Sequence, residues 1–232
     1  MELRKFKAVI FDLDGTLSKI GKGMNPEDIA LLKKLEASGI RIVICSGKTT
    51  FYLCGYVRQI GLEKPILIGE NGAMIQFGID LPPKEYYRLP YDQRADRSIK
   101  LIREYLKANY PDIWYQPNET VLTFFPENEI EFTEIGTYLE EQGQELQGID
   151  IYRHADCFDI VPCGINKKNG LIRLSEILSL TPEDFVAVGD GINDYPMFEA
   201  AGYAMGIRVS DPSVVDVNYA NITQALQDLN KL

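Results

Sequence analysis

The chain has 232 residues, 45% of them hydrophobic and 25% charged, which indicates a globular protein of one large domain or of one domain with an inserted lobe. Its net charge is -10 without a long run of Lys or Arg, so binding to nucleic acid or to an anionic membrane surface has little support. Four cysteines without zinc-type pairing, and apolar runs too short to span a membrane, favour a soluble cytoplasmic protein with reduced thiols.

Strand and helix signals alternate in the first third of the chain. Asn25 and Pro26 are typical of a helix start, and Gly39 is typical of a helix stop. The predicted order is strand 8–11, the helix between Asn25 and Gly39, strand 40–45, helix 49–60 and strand 65–68. Short connections between alternating strands and helices predict a parallel sheet with right-handed crossovers.

The pattern changes near residue 80, where prolines and tyrosines accumulate. The elements predicted beyond it are strand 86–89, helix 92–109, strand 120–125, helix 130–142, and strands 149–153 and 157–161. Alternation resumes from Asn166, with helix 170–178, strand 185–188, helix 195–201, strand 203–205 and helix 223–230. We therefore expect a doubly wound α/β core, residues 1–80 and 161–232, interrupted by an α+β insert at 81–160.

Acidic side chains follow two of the predicted core strands. Asp12 and Asp14 follow the first strand, and Asp190 and Asp194 follow the strand at 185–188. Because the loops at the carboxyl ends of such strands converge on one crevice, these carboxylates are expected to surround one Mg²⁺ ion. The sequence therefore predicts chemistry on a small phosphorylated metabolite.

Two further loops carry groups suited to a phosphoryl group. Ser46 and Gly47 offer a hydroxyl and unobstructed backbone amides. Lys167 or Lys168, at the start of a helix, supplies positive charge. His154 is the only histidine, so a multi-histidine metal site is excluded.

Several polar residues allow two interpretations. Asn71 either contacts the substrate or takes a left-handed turn before Gly72, and Asp194 serves the metal, caps the following helix, or does both. Four residues of the insert either reach the leaving group or belong to its surface and packing: Arg94, Asn118, Arg153 and His154.

These motifs together resemble those of the haloacid dehalogenase superfamily of phosphohydrolases. The resemblance rests, in order and approximate spacing, on residues 12–16, Ser46, Lys167 and residues 189–194. The tetrapeptide at 70–73 and the place of the insert are similar to the Cof-type branch. The short chain is similar to archaeal-type members of that branch that act on phosphoglycolate or sugar phosphates.

The resemblance implies a magnesium-dependent phosphatase that forms an aspartyl phosphate on Asp12, with Asp14 as general acid and then general base. Asp12, the Asp14 carbonyl and Asp190 would hold Mg²⁺, with Asp194 in or just outside the set of ligands. The implied catalytic residues are Asp12, Asp14, Ser46 and Lys167. The implied substrate-binding residues are Ser46, Gly47, Lys48, Asn71, Lys167 and Asn193, where Lys48 replaces an arginine frequent in the branch.

Alternatives remain within this interpretation. A sugar phosphomutase would use the same aspartyl phosphate, and a phosphate-binding module would keep the fold without turnover. Exposed aromatic residues of the insert fit either a homodimer contact or a contact with the substrate.

Overall fold

The computed structural model describes residues 6–231 of the chain. The chain divides into two compact units, Met1–Leu89 with Asn166–Leu232, and Pro90–Ile165. The first is called the core unit and the second the inserted unit. The domain boundaries at 81 and 160 stay a prediction of the sequence.

The strands of both units follow the apolar and β-branched runs of the sequence. In chain order they are β1 (Ala8–Asp12), β2 (Arg41–Cys45), β3 (Ile66–Gly69), β4 (Met74–Phe77), β5 (Glu85–Arg88), β6 (Trp114–Tyr115), β7 (Leu122–Phe125), β8 (Ile149–Arg153), β9 (Phe158–Pro162), β10 (Phe185–Gly189), β11 (Tyr203–Ile207) and β12 (Val217–Tyr219).

The helices are α1 (Pro26–Ala37), α2 (Thr50–Ile60), α3 (Arg94–Asn109), α4 (Glu129–Glu141), α5 (Lys167–Ile177), α6 (Tyr195–Ala200) and α7 (Ile222–Leu229). Asn25 caps α1 by accepting a hydrogen bond from the backbone N–H of Glu27, as the sequence predicts for this helix start. Within residues 6–231, none of the helices has both the length and the apolar character required to cross a bilayer.

The core unit is built on an eight-stranded sheet in the order β12-β11-β10-β1-β2-β3-β4-β5. The strands from β12 to β3 pair in parallel, whereas β4 and β5 continue the sheet antiparallel. Every residue of β1 and β10 is buried, as expected for central strands covered on both faces. The predicted doubly wound α/β architecture is confirmed.

One face of the core sheet packs against α1, α2 and α7. The buried side chains that meet there include Phe11, Ile44, Val188, Leu32, Leu53 and Leu226. This packing holds β1, β2 and β10 side by side, so their carboxyl ends lie at one edge of the sheet.

The structure differs from the predicted elements in three respects. Strand β5, which the sequence assigned to the insert, pairs with β4 and extends the core sheet. Strands β4, β6 and β12 were not predicted, since runs of two to four residues give little periodicity. Helix α5 begins at Lys167 rather than at residue 170, because the side chain of Asn166 caps it by accepting from the backbone N–H of Asn169 at 2.9 Å.

The inserted unit has an antiparallel sheet in the order β6-β7-β9-β8. Its apolar core combines α3 and α4 with one face of the sheet, through residues that include Ile102, Leu106, Ile135, Leu139, Phe124, Phe158 and Ile160. Because side chains alternate along a strand, Thr123 of β7 and Asp159 of β9 lie on the opposite face, where they are paired in register.

Candidate active site

Asp12 ends the central strand β1, between β10 and β2. Its side chain lies at the carboxyl edge of the sheet, and the residue is only 5% exposed. Asp12 is in register with Cys45 at the end of β2, and burial raises the pKa of the Cys45 thiol to about 12. Cys45 therefore stays protonated at neutral pH and adds no negative charge beside Asp12.

The ammonium group of Lys167 joins two of the predicted acids. Its Nζ donates hydrogen bonds to Asp12 Oδ1 and to Asp194 Oδ1, each at 2.6 Å. Lys167 is 1% exposed, so this ion-pair network is buried. Burial alone would lower the pKa of Lys167, but the two adjacent carboxylates outweigh it and raise the pKa, so that the side chain remains charged.

Both carboxylate oxygens of Asp194 accept hydrogen bonds from groups of the core unit. While Oδ1 accepts from Lys167, Oδ2 accepts from the backbone N–H groups of Asp190 and Gly191, each at 3.0 Å. These bonds close the 3-10 turn Ile192–Asp194 ahead of α6, and the Asp194 side chain makes no cap hydrogen bond with α6 itself. Asp194 therefore positions both the lysine and the loop that carries Asp190.

Asp190 is oriented by the side chain of Thr16. The hydroxyl of Thr16 donates to Asp190 Oδ1 at 2.7 Å, across 174 positions of sequence. The only sequence feature that marks Thr16 is its position after Asp-x-Asp-Gly. Its partner Asp190 can be identified only from the pairing of β1 with β10.

The three acids Asp12, Asp190 and Asp194 form a cluster, with one carboxylate oxygen of each within 4.8 Å of the others. Burial raises the pKa of Asp12 to about 7, opposed by Lys167, and burial also raises the pKa of Asp190. Three acidic groups here share one buried ammonium, which leaves a deficit of positive charge. Mg²⁺ prefers carboxylate and other oxygen ligands, so this cluster fits the expected ion.

The loops after β2 and β3 are tied to each other by backbone hydrogen bonds. The backbone N–H of Asn71 donates to the Ser46 carbonyl at 3.0 Å, and that of Glu70 donates to the Lys48 carbonyl at 2.9 Å. Ser46 Oγ accepts from the backbone N–H of Lys48 at 3.2 Å. Ser46 is thus fixed at the end of the strand that neighbours Asp12.

Asn71 adopts the left-handed backbone conformation, with φ of +57°. Its side chain packs against Gly47, where an added Cβ would lie 3.4 Å from the amide group. Asn71 Oδ1 is buried and has no hydrogen-bond partner among residues 6–231. A buried acceptor of this kind is suited to a donor from a bound molecule.

The loop that carries Asp14 is held close to Asp190. Gly15 has φ of +94°, and a Cβ there would lie 2.2 Å from Asp190 Oδ2, so a side chain does not fit. Arg208, in the turn after β11, donates to the Gly15 carbonyl at 3.3 Å.

Lys168 and Asn193, two of the predicted residues, lie outside the buried network. Lys168 is 40% exposed in its side chain and pairs with Glu199 Oε2 at 3.2 Å, so it is Lys167 that the structure brings to Asp12. Asn193 is exposed within the 3-10 turn, and Lys48 is half-buried.

The fold and the site define the class of the protein: a doubly wound α/β enzyme with carboxylates and a buried lysine at the carboxyl edge of its sheet. A family model described as haloacid dehalogenase-like hydrolase matches residues 9–129 and 86–225. The chain belongs to this family, and the resemblance stated from its motifs is confirmed.

Similar proteins span nearly the whole chain. A phosphoglycolate phosphatase of Methanosarcina acetivorans is 30% identical over 222 residues, which are 95% of this chain and 91% of that protein. A haloacid dehalogenase-like hydrolase of Bacteroides thetaiotaomicron has a TM-score of 0.76 at 20% identity, with 97% of this chain and 100% of that chain covered. A protein of Thermotoga maritima has a TM-score of 0.77 at 18% identity, with 96% and 97% covered. These two structures share the fold.

Proposed function

We propose that the chain is a magnesium-dependent phosphatase that hydrolyses a small phosphate monoester through an aspartyl phosphate on Asp12. The observation that carries the proposal is the buried contact of Lys167 with Asp12 and Asp194, beside Asp190. This arrangement offers a nucleophile, a fixed positive charge and a set of oxygen ligands at one edge of the sheet. The names of several relatives, phosphoglycolate phosphatase, support the same reaction class.

Asp12 would attack phosphorus with a carboxylate oxygen, forming an acyl phosphate bond while the ester P–O bond breaks. Asp14, two residues further on, would donate a proton to the departing alkoxide oxygen. In the second half of the reaction, Asp14 would take a proton from a water molecule. That water would attack phosphorus and release the Asp12 carboxylate. Both carboxylates then return to their starting protonation states.

The remaining residues stabilise charge and hold the phosphoryl group. Lys167 and the Ser46 hydroxyl would contact phosphoryl oxygens, with the backbone amides of Gly47 and Lys48 close by. Asp12, the Asp14 carbonyl and Asp190 would hold Mg²⁺, and Asp194 would keep Lys167 and the Asp190 loop in place. Bound Mg²⁺ would offset the repulsion between the Asp12 carboxylate and the phosphate dianion.

Phosphoglycolate and sugar phosphates are the proposed substrates. Phosphoglycolate carries a carboxylate on its leaving group, and Lys48 would supply a compensating point charge without the two-pronged contact of an arginine. The half-buried Asn71 would accept a hydrogen bond from the bound substrate or from water beside it.

The test is a screen of phosphate release, reported as kcat/KM, across phosphoglycolate, sugar phosphates, nucleotides and cofactor phosphates with Mg²⁺ present. We expect phosphoglycolate or a sugar phosphate to rank first, and Asp12→Asn to abolish release from every substrate. Conversion of a sugar phosphate to its isomer without phosphate release would contradict hydrolysis. Inactivity of the folded protein on the whole panel would contradict the phosphatase assignment.

The charge of Lys48 gives a second arm to this test. Lys48→Met is expected to lower kcat/KM for phosphoglycolate more than for a sugar monophosphate whose leaving group is uncharged. Only phosphoglycolate has a carboxylate on its leaving group for the ammonium to contact. An equal loss for both substrates would assign Lys48 to the phosphoryl group instead.

A further inference from the structure

A second group of metal-ligating side chains lies in the inserted unit, at the hairpin between β8 and β9. His154, Cys157 and Asp159 each offer one ligand atom, and these atoms lie within 4.8 Å of one another. We propose that this hairpin binds a zinc ion through His154 Nε2, the Cys157 thiolate and an Asp159 oxygen, with water in the fourth position. The proposed site is separate in residues and chemistry from the phosphatase site proposed above.

The backbone of the hairpin places the three ligands on one side. The backbone N–H of His154 donates to the Cys157 carbonyl at 2.9 Å, which closes the turn and brings together residues three apart. Cys157 directly precedes β9 and Asp159 is its second residue, so a spacing of two puts both side chains on the same face. The resulting pattern, His-x-x-Cys-x-Asp, has the short separation typical of zinc ligands contributed by one turn.

The distances are compatible with tetrahedral coordination. His154 Nε2 and Asp159 Oδ2 are 3.2 Å apart. Two ligands each about 2.0–2.1 Å from a tetrahedral zinc ion would be separated by roughly 3.3 Å. The His154 side chain is 44% exposed, so its ring can rotate to bring the remaining separations into range.

Asp159 is oriented by a chain of neutral donors on the same face of the sheet. The Thr123 hydroxyl donates to Asp159 Oδ1 at 2.5 Å, and Asn118 Nδ2 donates to Thr123 Oγ1 at 3.0 Å. Gln116 Nε2 donates in turn to Asn118 Oδ1 at 2.8 Å. This network binds Oδ1 and directs Oδ2 towards His154, in the way that outer partners orient metal ligands.

The ligand types select zinc over magnesium. Thiolate and imidazole are soft and intermediate ligands that suit Zn²⁺, whereas Mg²⁺ requires oxygen ligands. A thiolate, a carboxylate and a neutral imidazole carry a total charge of -2, which one Zn²⁺ neutralises. The acidic cluster of the core unit supplies three carboxylates instead. We therefore expect the hairpin to bind Zn²⁺ and the acidic cluster to bind Mg²⁺.

Cobalt spectroscopy of the full chain tests the proposal without any measurement of activity. Co²⁺ replaces Zn²⁺ in such sites, and a bound thiolate produces a charge-transfer band in the near ultraviolet. The titration is carried out in excess Mg²⁺, which occupies the oxygen-only cluster. We expect one equivalent of Co²⁺ to generate the band and Zn²⁺ to displace it.

The variants identify the ligands. Cys157→Ser is expected to abolish the band, while the matched control Cys163→Ser, an exposed cysteine of the same unit, retains it. His154→Asn alters an exposed side chain and keeps the thiol, and it is expected to weaken Zn²⁺ binding, measured by calorimetry, by at least about 10-fold. Thr123→Val leaves all three ligands and is expected to weaken binding by roughly 10- to 100-fold.

Three results would overturn the proposal. They are the absence of a thiolate band from the folded parent protein, a band that survives Cys157→Ser, and unchanged Zn²⁺ affinity in His154→Asn. The parent titration and His154→Asn decide the matter even if Cys157→Ser fails to fold. A chain without phosphatase activity that still shows the Cys157-dependent band would support the zinc site and contradict only the proposed function.

Discussion

Replacement of Lys167 by methionine removes a buried ammonium from the acidic cluster and preserves most of the side-chain volume. In the parent protein, Lys167 Nζ lies 2.6 Å from one oxygen of Asp12 and 2.6 Å from one oxygen of Asp194. The variant leaves these carboxylates and Asp190 without their positive partner. It therefore tests both the electrostatic account of the site and the choice of Lys167 over Lys168.

The magnitude follows from burial. Removal of one partner from a buried ion pair costs about 3–5 kcal/mol of folding free energy, because an uncompensated charge stays buried. We expect a loss in that range for metal-free Lys167→Met near pH 8, and a smaller loss at lower pH, since Asp12 can then be neutralised by a proton. Mg²⁺ should restore part of the stability, while kcat should fall on the order of 10²- to 10³-fold.

Lys168→Met is the matched control. Its ammonium contacts Glu199 Oε2 at 3.2 Å with both side chains largely exposed, at 40% and 68%, so the change should cost no more than about 1 kcal/mol. Urea unfolding with and without Mg²⁺, together with phosphate-release kinetics, measures both quantities. Equal losses of stability and of kcat in the two variants would refute the assignment of Lys167.

Three further predictions follow from the same site. The pKa of Asp12 is raised from 3.8 to about 7 in the folded metal-free protein, so its ionisation lowers stability as pH rises through that range. Asp12→Asn removes this cost while Asp194 keeps Lys167 paired, so the variant should be more stable than the metal-free parent near pH 8, by on the order of 1 kcal/mol in thermal unfolding. Gly15→Ala should reduce kcat/KM at least about 10-fold, because its Cβ would lie 2.2 Å from Asp190 Oδ2. The control Gly21→Ala is also at positive φ but has open space around it, and it should change kcat/KM less than about 2-fold. Similar losses of kcat/KM in the two variants would contradict the steric account. A chelator should abolish phosphate release and added Mg²⁺ should restore it, and full activity in excess chelator would remove the metal from the proposal.

The acids of the site could be predicted from the sequence because each follows an apolar run that ends at a turn. Asp12 is the last residue of β1 and Asp190 directly follows β10, and topology alone brings the ends of parallel strands to one edge. Lys167 was preferred over Lys168 from the spacing within the motif, and its 1% exposure shows the physical difference between the two lysines.

Partners that depend on three-dimensional packing could not be predicted in this way. Thr16 donates to Asp190, and Arg208 to the Gly15 carbonyl, across 174 and 193 positions of sequence. No local pattern encodes such pairs. The proposed zinc site at His154 was not predicted for another reason: a search for paired cysteines or histidines does not detect a group of one histidine, one cysteine and one aspartate.

The contact between Lys167 and Asp12 joins residues that are 155 positions apart in the sequence, and the whole inserted unit lies between them along the chain. During synthesis, the strand that carries Asp12 leaves the ribosome long before the helix that carries Lys167, and Asp194 follows later still. Until then, the carboxylate of Asp12 lacks both its ammonium partner and β10, one of its two neighbouring strands. A nascent chain that ends before residue 194 therefore lacks one acid of the cluster and cannot form the complete site.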